Sequence, residues 1–307
     1  MISIMLFKQI VVLFMMMGLG LLIVKCKLLK CEDSRVLSVI TVYLIIPCTI
    51  INAFQIGYSD EIRDGFILAL AAAVLIHAVL LTLTRIMSPF FRFSQVEKAS
   101  MIYSNAGNLI IPLVTSVLGS SWVIYTSAFI CFQTFMLWTH GVSLMEGRSA
   151  FDFKKMLSNV NVLACFVGIA LFMSGIRLPY VISSVLSSMA SLLGPVCMVM
   201  LGMLFAGVSW KKVFLGRRIY VITFIKMILL PLMVLLLLRF SGLSAFVPEG
   251  RTILLISLLA VTTPSATLVT QMAQLHGHDA VYASVINVMT TVVCVITMPL
   301  MVYLYML

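Results

Sequence analysis

The sequence predicts an all-α polytopic membrane protein, and three observations carry that prediction. The chain is 62% hydrophobic and only 10% charged over 307 residues. Its mean hydropathy is +1.18, and its apolar residues fall into ten long runs parted by short polar or basic loops. A soluble domain carries about 25% charged residues because its surface faces water, and a single domain buries at most about 75% of the surface its chain exposes. Only a bilayer accommodates this much apolar side chain. At about 20 residues per spanning helix, ten spans use about 200 residues and leave only short loops, with no soluble catalytic or regulatory domain.

The runs, in order, are 4–24, 36–56, 66–86, 98–118, 122–145, 159–176, 181–208, 219–238, 252–274 and 280–304. Lys8 shortens the charge-free core of the first to sixteen residues. Because no small-residue cleavage site precedes the basic cluster at Lys25, that run reads as a retained helix rather than a removed signal peptide. The second run ends in Asn52 and Gln55, which either line a vestibule or face water; the third holds His77 and the eighth Lys226. The fourth and ninth are interrupted by clusters of polar residues with a proline.

The net charge of +10 is spread between the runs and forms no patch that a nucleic acid would need. It reports orientation instead. Alternate loops collect Lys25, Lys27, Lys30, Arg35, Arg85, Arg92, Lys98, Arg148, Lys154, Lys155, Lys211, Lys212, Arg217 and Arg218 on one side, against Lys8, Arg63, Arg177, Arg239 and Arg251 on the other. The basic side is cytoplasmic by the positive-inside rule, which leaves both termini outside a cell membrane. The seven cysteines lie mostly within apolar runs and lack ligand spacing, so they read as packing residues. Cys26 and Cys31 share a basic loop on the cytoplasmic side, where a disulfide does not persist. His276 and His278 with Asp279 read as a solvated turn, and no metal or cofactor is expected.

The chain also repeats. The second run reads VLSVITVYLIIPCTI from Val36 and the seventh VLSSMASLLGPVCMV from Val185. Pro47 and Pro195 stand 148 positions apart, His77 and Lys226 149, and Pro112 and Pro264 152. Three nearly equal offsets in different runs describe a duplicated unit of five helices, over 1–146 and 147–307. Five is odd, so the second copy enters the membrane in the opposite sense, giving a 5+5 inverted repeat of the kind secondary transporters use.

The polar interruptions are where chemistry is expected. The fourth run contains SNAGNLIIPLV, with Asn105, Gly107, Asn108 and Pro112. Two buried amides are costly without partners, and Pro112 removes a backbone donor, so a glycine and a proline so close together predict an unwound segment. The ninth answers with TTPSATLVTQ: Thr262, Thr263, Pro264, Ser265, Ala266, Thr267, Thr270 and Gln271. Paired breaks in matching spans expose half-helix N-termini, whose free N–H groups favour an anion, and carbonyl ends that hold a cation. Proline kinks satisfied by neighbouring helices are the bland alternative, but they do not need the asparagines.

Lys226 is charged at mid-span and has no carboxylate within reach in the sequence, which marks function by default. It caps the carbonyl end of a broken helix, attracts the substrate's negative charge, or snorkels from a misjudged boundary. His77 is a packing residue or a titrating group. With no carboxylate deep in any span, coupling to H+ or Na+ rests on carbonyls and hydroxyls or on His77, or the protein is an uncoupled facilitator. An anion leaving a cell that is negative inside gains roughly 2.3 kcal/mol per charge per 100 mV.

SNAGNLIIPLV, FIKMILLPLMV in the eighth run and TTPSATLVTQMAQLHGHDAVYASVINVMTTVVCVITMPLMVYL over the last two resemble the auxin efflux carrier family, which includes plant auxin exporters and bacterial malate or malonate permeases. The resemblance covers essentially the whole chain. It implies ten helices, with 1, 2, 6 and 7 forming a scaffold that often dimerises and 3–5 and 8–10 a mobile unit whose helices 4 and 9 are proline-broken and cross. By position it places Asn105, Asn108 and Pro112 in the first crossover and Pro264, Ser265 and Thr267 in the second. The long central loop of the plant exporters is replaced by Gly147 to Ser158. The expectation is a secondary transporter, an exporter of a small organic anion such as a carboxylate, working by alternating access; it is not expected to be an enzyme, since no nucleophile with its base and no paired ligand set occurs within the spans. Asn105, Gly107, Asn108, Pro112, Pro264, Ser265, Ala266, Thr267 and Lys226 are the expected binding residues, with His77, Gln271 and Asn52 accessory. A facilitator or channel, or a non-transporting sensor subunit, are the alternatives.

Overall fold

The computed structural model describes residues 2–56, 59–147, 159–207 and 216–307. The short central linker from Arg148 to Ser158 and the basic pair Lys211 and Lys212 lie outside the described residues. The helices are α1 (Ile2–Lys25), α2 (Cys31–Ala53), α3 (Asp60–Phe91), α4 (Gln95–Ile102), α5 (Ala106–Val117), α6 (Ser120–Glu146), α7 (Val160–Ser174), α8 (Tyr180–Ala206), α9 (Arg217–Phe240), α10 (Gly250–Thr262), α11 (Thr267–Leu275) and α12 (Ala280–Met306). Among the described residues there is no β-strand, only an isolated bridge between Ser104 and Ser265.

Six of these helices, α2, α3, α6, α8, α9 and α12, are long and apolar enough to cross a membrane, and α5, α7, α10 and the Val11–Lys25 part of α1 are shorter apolar helices. Burial runs opposite to that of a soluble protein. Met15, Leu19, Phe90, Tyr180, Val181 and Ile296 point outward, while Thr126, Ser127, Lys226, Thr262, Thr263, Ser265 and Thr290 are buried. A lipid solvent demands this arrangement, since polar groups must find partners inside the protein.

Local chemistry explains where elements begin and turn. α3 starts six residues before the apolar run because Ser59 accepts the Ile62 N–H at 3.2 Å and Asp60 and Glu61 occupy the first turn. It ends where Arg92 adopts the left-handed conformation (φ 50°), its N–H returning to the Ser88 carbonyl at 2.8 Å. π-helical turns at Thr41–Ile45 and Ile225–Leu229 each lie just before a proline, Pro47 and Pro231. A proline supplies no N–H to the preceding turn, and a wide turn shifts the carbonyl partners by one residue.

The tightest helix pair is α1 with α8, packed through reciprocal glycines. A Cβ on Gly20 would stand 2.1 Å from the Val199 carbonyl oxygen, and one on Gly202 only 1.8 Å from that of Met17. Small residues let backbones approach where lipid offers no hydrophobic drive to association.

Candidate functional site

Two chain segments that the sequence marks as interrupted meet at one point. α4 stops at Ile102 and α5 starts at Ala106; α10 stops at Thr262 and α11 starts at Thr267. Between them the backbones run antiparallel: the Asn105 N–H donates to the Pro264 carbonyl at 2.8 Å, and the Ala266 N–H to the Tyr103 carbonyl at 3.0 Å. Each break thus satisfies the backbone groups the other has freed, which is what a non-helical segment at membrane depth requires.

Side chains from three further helices complete the crossing. Gln133 of α6 holds Ser104 like a neighbouring strand, accepting its N–H at 3.0 Å and donating to its carbonyl at 2.8 Å. From α12, Thr290 accepts the Ser265 N–H at 3.1 Å and Asn287 donates to the Ser265 carbonyl. Lys226, 0% exposed, reaches in from α9 and donates to the Ser104 hydroxyl at 2.6 Å and the Met101 carbonyl at 3.2 Å. Met101 lies in the last turn of α4, so the ammonium caps the negative end of that half-helix. Of the three readings of Lys226, capping is the one this geometry matches; full burial is incompatible with snorkelling.

The half-helix N-termini are left open. Neither Asn105 before α5 nor Ala266 before α11 makes a side-chain cap. Asn105 and Asn108 are buried, and among the described residues their carboxamides have no hydrogen-bond partner. The Ser265 hydroxyl, 1% exposed, is likewise without one. Gly107 and Thr267 are half-buried in the first turns of their helices.

Several expectations need correcting. Gly107 and Pro112 do not form the break; both sit inside α5, and the break precedes them at Tyr103–Asn105. The Pro112 ring packs on α8, where a Cβ on Gly194 would lie 3.3 Å from it. α5 continues through the proline to Val117, and beyond it Thr115 and Ser116 donate to the Ile111 and Pro112 carbonyls at 2.8 and 2.7 Å. The break falls instead where both strands find partners. The Pro112–Pro264 offset therefore does not align the two interruptions, since only Pro264 lies in one. Gln271 is exposed on α11, and Asn52 lies in the last turn of α2, where among the described residues it makes no hydrogen bond to the crossing. His77 is 1% exposed, its Nδ1 on the Ala73 carbonyl at 2.8 Å and its ring against Phe129 and Phe132. His276 lies 3.7 Å from Glu146, and His278 2.7 Å from the Met145 carbonyl, so the loop before α12 is stitched to the end of α6 rather than freely solvated.

Sequence reading missed Gln133, Asn287 and Thr290, though each is a polar residue within an apolar run. It also missed a buried carboxylate. Glu97, in the first turn of α4, is 1% exposed and accepts from the Arg218 guanidinium, the Tyr282 hydroxyl at 2.8 Å and the Ser94 N–H at 2.7 Å. These donors satisfy both oxygens of a carboxylate that is otherwise cut off from water. The three residues line an open cleft of about 510 Å³ with Arg92, Gln95 and His278.

A family model described as a membrane transport protein matches residues 5–152 and 149–302, nearly the whole chain in two successive parts. The chain belongs to that family. It is the auxin efflux carrier-like family that the SNAGNLIIPLV segment resembles. No curated protein matches the chain. Family membership and the apolar helices together make this auxin efflux carrier-like protein a multi-pass membrane transporter. The seam between the two matches falls at the central linker, beside the end of α6.

Proposed function

We propose that this auxin efflux carrier-like protein is a secondary carrier that exports a small organic anion, a carboxylate being the fitting class. The observation that carries the reading is the antiparallel crossing at Ser104 and Ser265, flanked by two uncapped half-helix N-termini and the unpartnered amides of Asn105 and Asn108. Free N–H groups with a partial positive charge bind an anion, and amide donors fix its orientation.

The architecture we assign is ten spans in a 5+5 inverted repeat, 1–146 and 147–307, with α4–α5 as the fourth and α10–α11 as the ninth. The opposite direction of the two broken spans where they pair supports the inversion. The two-part family match supports the repeat itself. A scaffold of α1, α2, α7 and α8 would hold the rocking unit of α3–α6 and α9–α12 and pair two copies into a homodimer in the plasma membrane. The basic loops face the cytoplasm and both termini lie outside. No cofactor enters this mechanism.

The test is transport by the purified protein in liposomes. Radiolabelled malonate or malate should cross, and Asn108→Ala should reduce the flux at least about tenfold, equivalent to about 1.4 kcal/mol of lost binding or barrier lowering. Full flux in both Asn108→Ala and Pro264→Ala would overturn the site assignment. Among the described residues the one buried carboxylate, Glu97, is already engaged by Arg218. That favours an uncoupled facilitator as the second reading, and ion movement accompanying the anion would exclude it.

A further inference from the structure

We propose that His140 is the proton-binding residue through which proton movement is linked to the anion step, acting on the helix crossing by way of Tyr103; the proposal rests on the transport reading above. Tyr103 belongs to both sites. Its carbonyl accepts the Ala266 N–H inside the crossing, while its phenol lies 2.9 Å from the Met136 carbonyl and 2.8 Å from His140 Nδ1.

A phenol has one hydrogen to give, and a carbonyl only accepts. When Nδ1 carries a hydrogen, as it must in an imidazolium, it donates to the Tyr103 oxygen and the phenol donates on to Met136. When Nδ1 is bare, the phenol has two acceptors and a single hydrogen. An imidazolium therefore holds the Tyr103 hydroxyl on the Met136 carbonyl, whereas the neutral tautomer with a bare Nδ1 frees it to turn to either acceptor. The local fold is built around this contact. His140 sits in a π-helical turn, Leu137–Gly141, and such turns recur at functional sites. A Cβ on Gly141 would stand 3.2 Å from the Tyr103 ring, so glycine makes room for it.

Access separates His140 from the other intramembrane histidine. His77 is sealed between two phenylalanines, whereas His140 is part-exposed, two turns before the end of α6 on the side we assign to the cytoplasm. The charged groups around it leave a proton uncompensated. From the fourth span, Glu97 is held by Arg218. On α6 itself, Glu146 faces His276, and His278 is bound to the Met145 carbonyl. From α9, Lys226 contributes another positive charge at Ser104. Among the described residues no carboxylate bonds His140. An imidazolium there adds to the positive region formed by Lys226 and the half-helix N-termini, so proton and anion should favour each other's binding by the same factor.

The experiment uses the full chain in liposomes containing a pH-sensitive dye, with a gradient of malonate. Wild-type protein should carry protons along with malonate, and its flux should vary with pH as a histidine gains and loses its proton. His140→Gln should lose the malonate-linked pH change and the pH dependence of flux; protons still moving with malonate in that variant would overturn the proposal. If wild-type protein moves no anion, the transport reading fails separately. The histidine link is then judged by NMR in detergent micelles. A Tyr103 ring signal that follows a histidine titration in wild type and not in His140→Gln supports it, and a Tyr103 signal indifferent to pH overturns it.

Discussion

The Lys226 ammonium donates to the Ser104 hydroxyl at 2.6 Å, joining α9 to the first broken span at a point from which water is excluded. A buried cation is tolerated when hydrogen-bonded, and here carbonyl and hydroxyl oxygens take the place of a carboxylate. Lys226→Ala leaves the Met101 carbonyl and the Ser104 hydroxyl without that donor, at about 1–3 kcal/mol for each group left unsatisfied, offset in part by removal of a buried charge. The expected result is a lower melting temperature in detergent and at least tenfold slower flux, about 1.4 kcal/mol. Lys226→Arg should not restore it, because a planar guanidinium cannot direct its donors at the Ser104 hydroxyl and the Met101 carbonyl as a compact ammonium does. Wild-type flux in Lys226→Ala would remove the lysine from the mechanism.

Gln133 is the second support of the same residue. Its amide bonds both backbone groups of Ser104, so Gln133→Leu strands a buried N–H and a buried carbonyl at about 1–3 kcal/mol each. Gln133→Glu should be damaged as well, since an ionised carboxylate accepts the N–H but repels the carbonyl. Thermal unfolding of the three proteins side by side checks this. Equal melting temperatures would mean that the crossing does not depend on the amide.

Cys131 on α6 and Cys165 on α7 are free thiols that face each other across two packed helices. In the proposed architecture these helices belong to the moving unit and the scaffold. A membrane-permeant oxidant that joins the two sulfurs should stop flux, and a reductant should restore it. Cys131→Ser should be indifferent to the oxidant. Undiminished flux with the cross-link verified by mass spectrometry would argue against rocking at this interface.

The Glu97–Arg218–Tyr282 cluster ties the start of the fourth span to α9 and α12. Glu97→Gln keeps the shape of the side chain but removes the charge that the guanidinium meets. Arg218 is half-exposed, which limits the magnitude. Melting temperature in detergent should fall modestly in Glu97→Gln, and a value equal to wild type would contradict the assignment.

Composition and hydropathy determined by themselves that this chain is helical, membrane-embedded and interrupted in its fourth and ninth apolar runs. The solvent dictates these features: twenty apolar residues in a row leave few structures open in water or lipid. The polar composition of SNAGN and TTPSAT located both interruptions. Only the tertiary structure decided where each break falls. Ser104 and Ser265 are unwound because Gln133, Thr290, Asn287 and each other's backbones supply partners there, whereas Pro112, the stronger local breaker, stays helical beside Gly194. The partners of Lys226, the burial of Glu97 and the contact of His140 with Tyr103 were equally beyond local reading. Each joins residues far apart in the chain, and single-chain periodicity carries no record of which distant group will satisfy a buried charge.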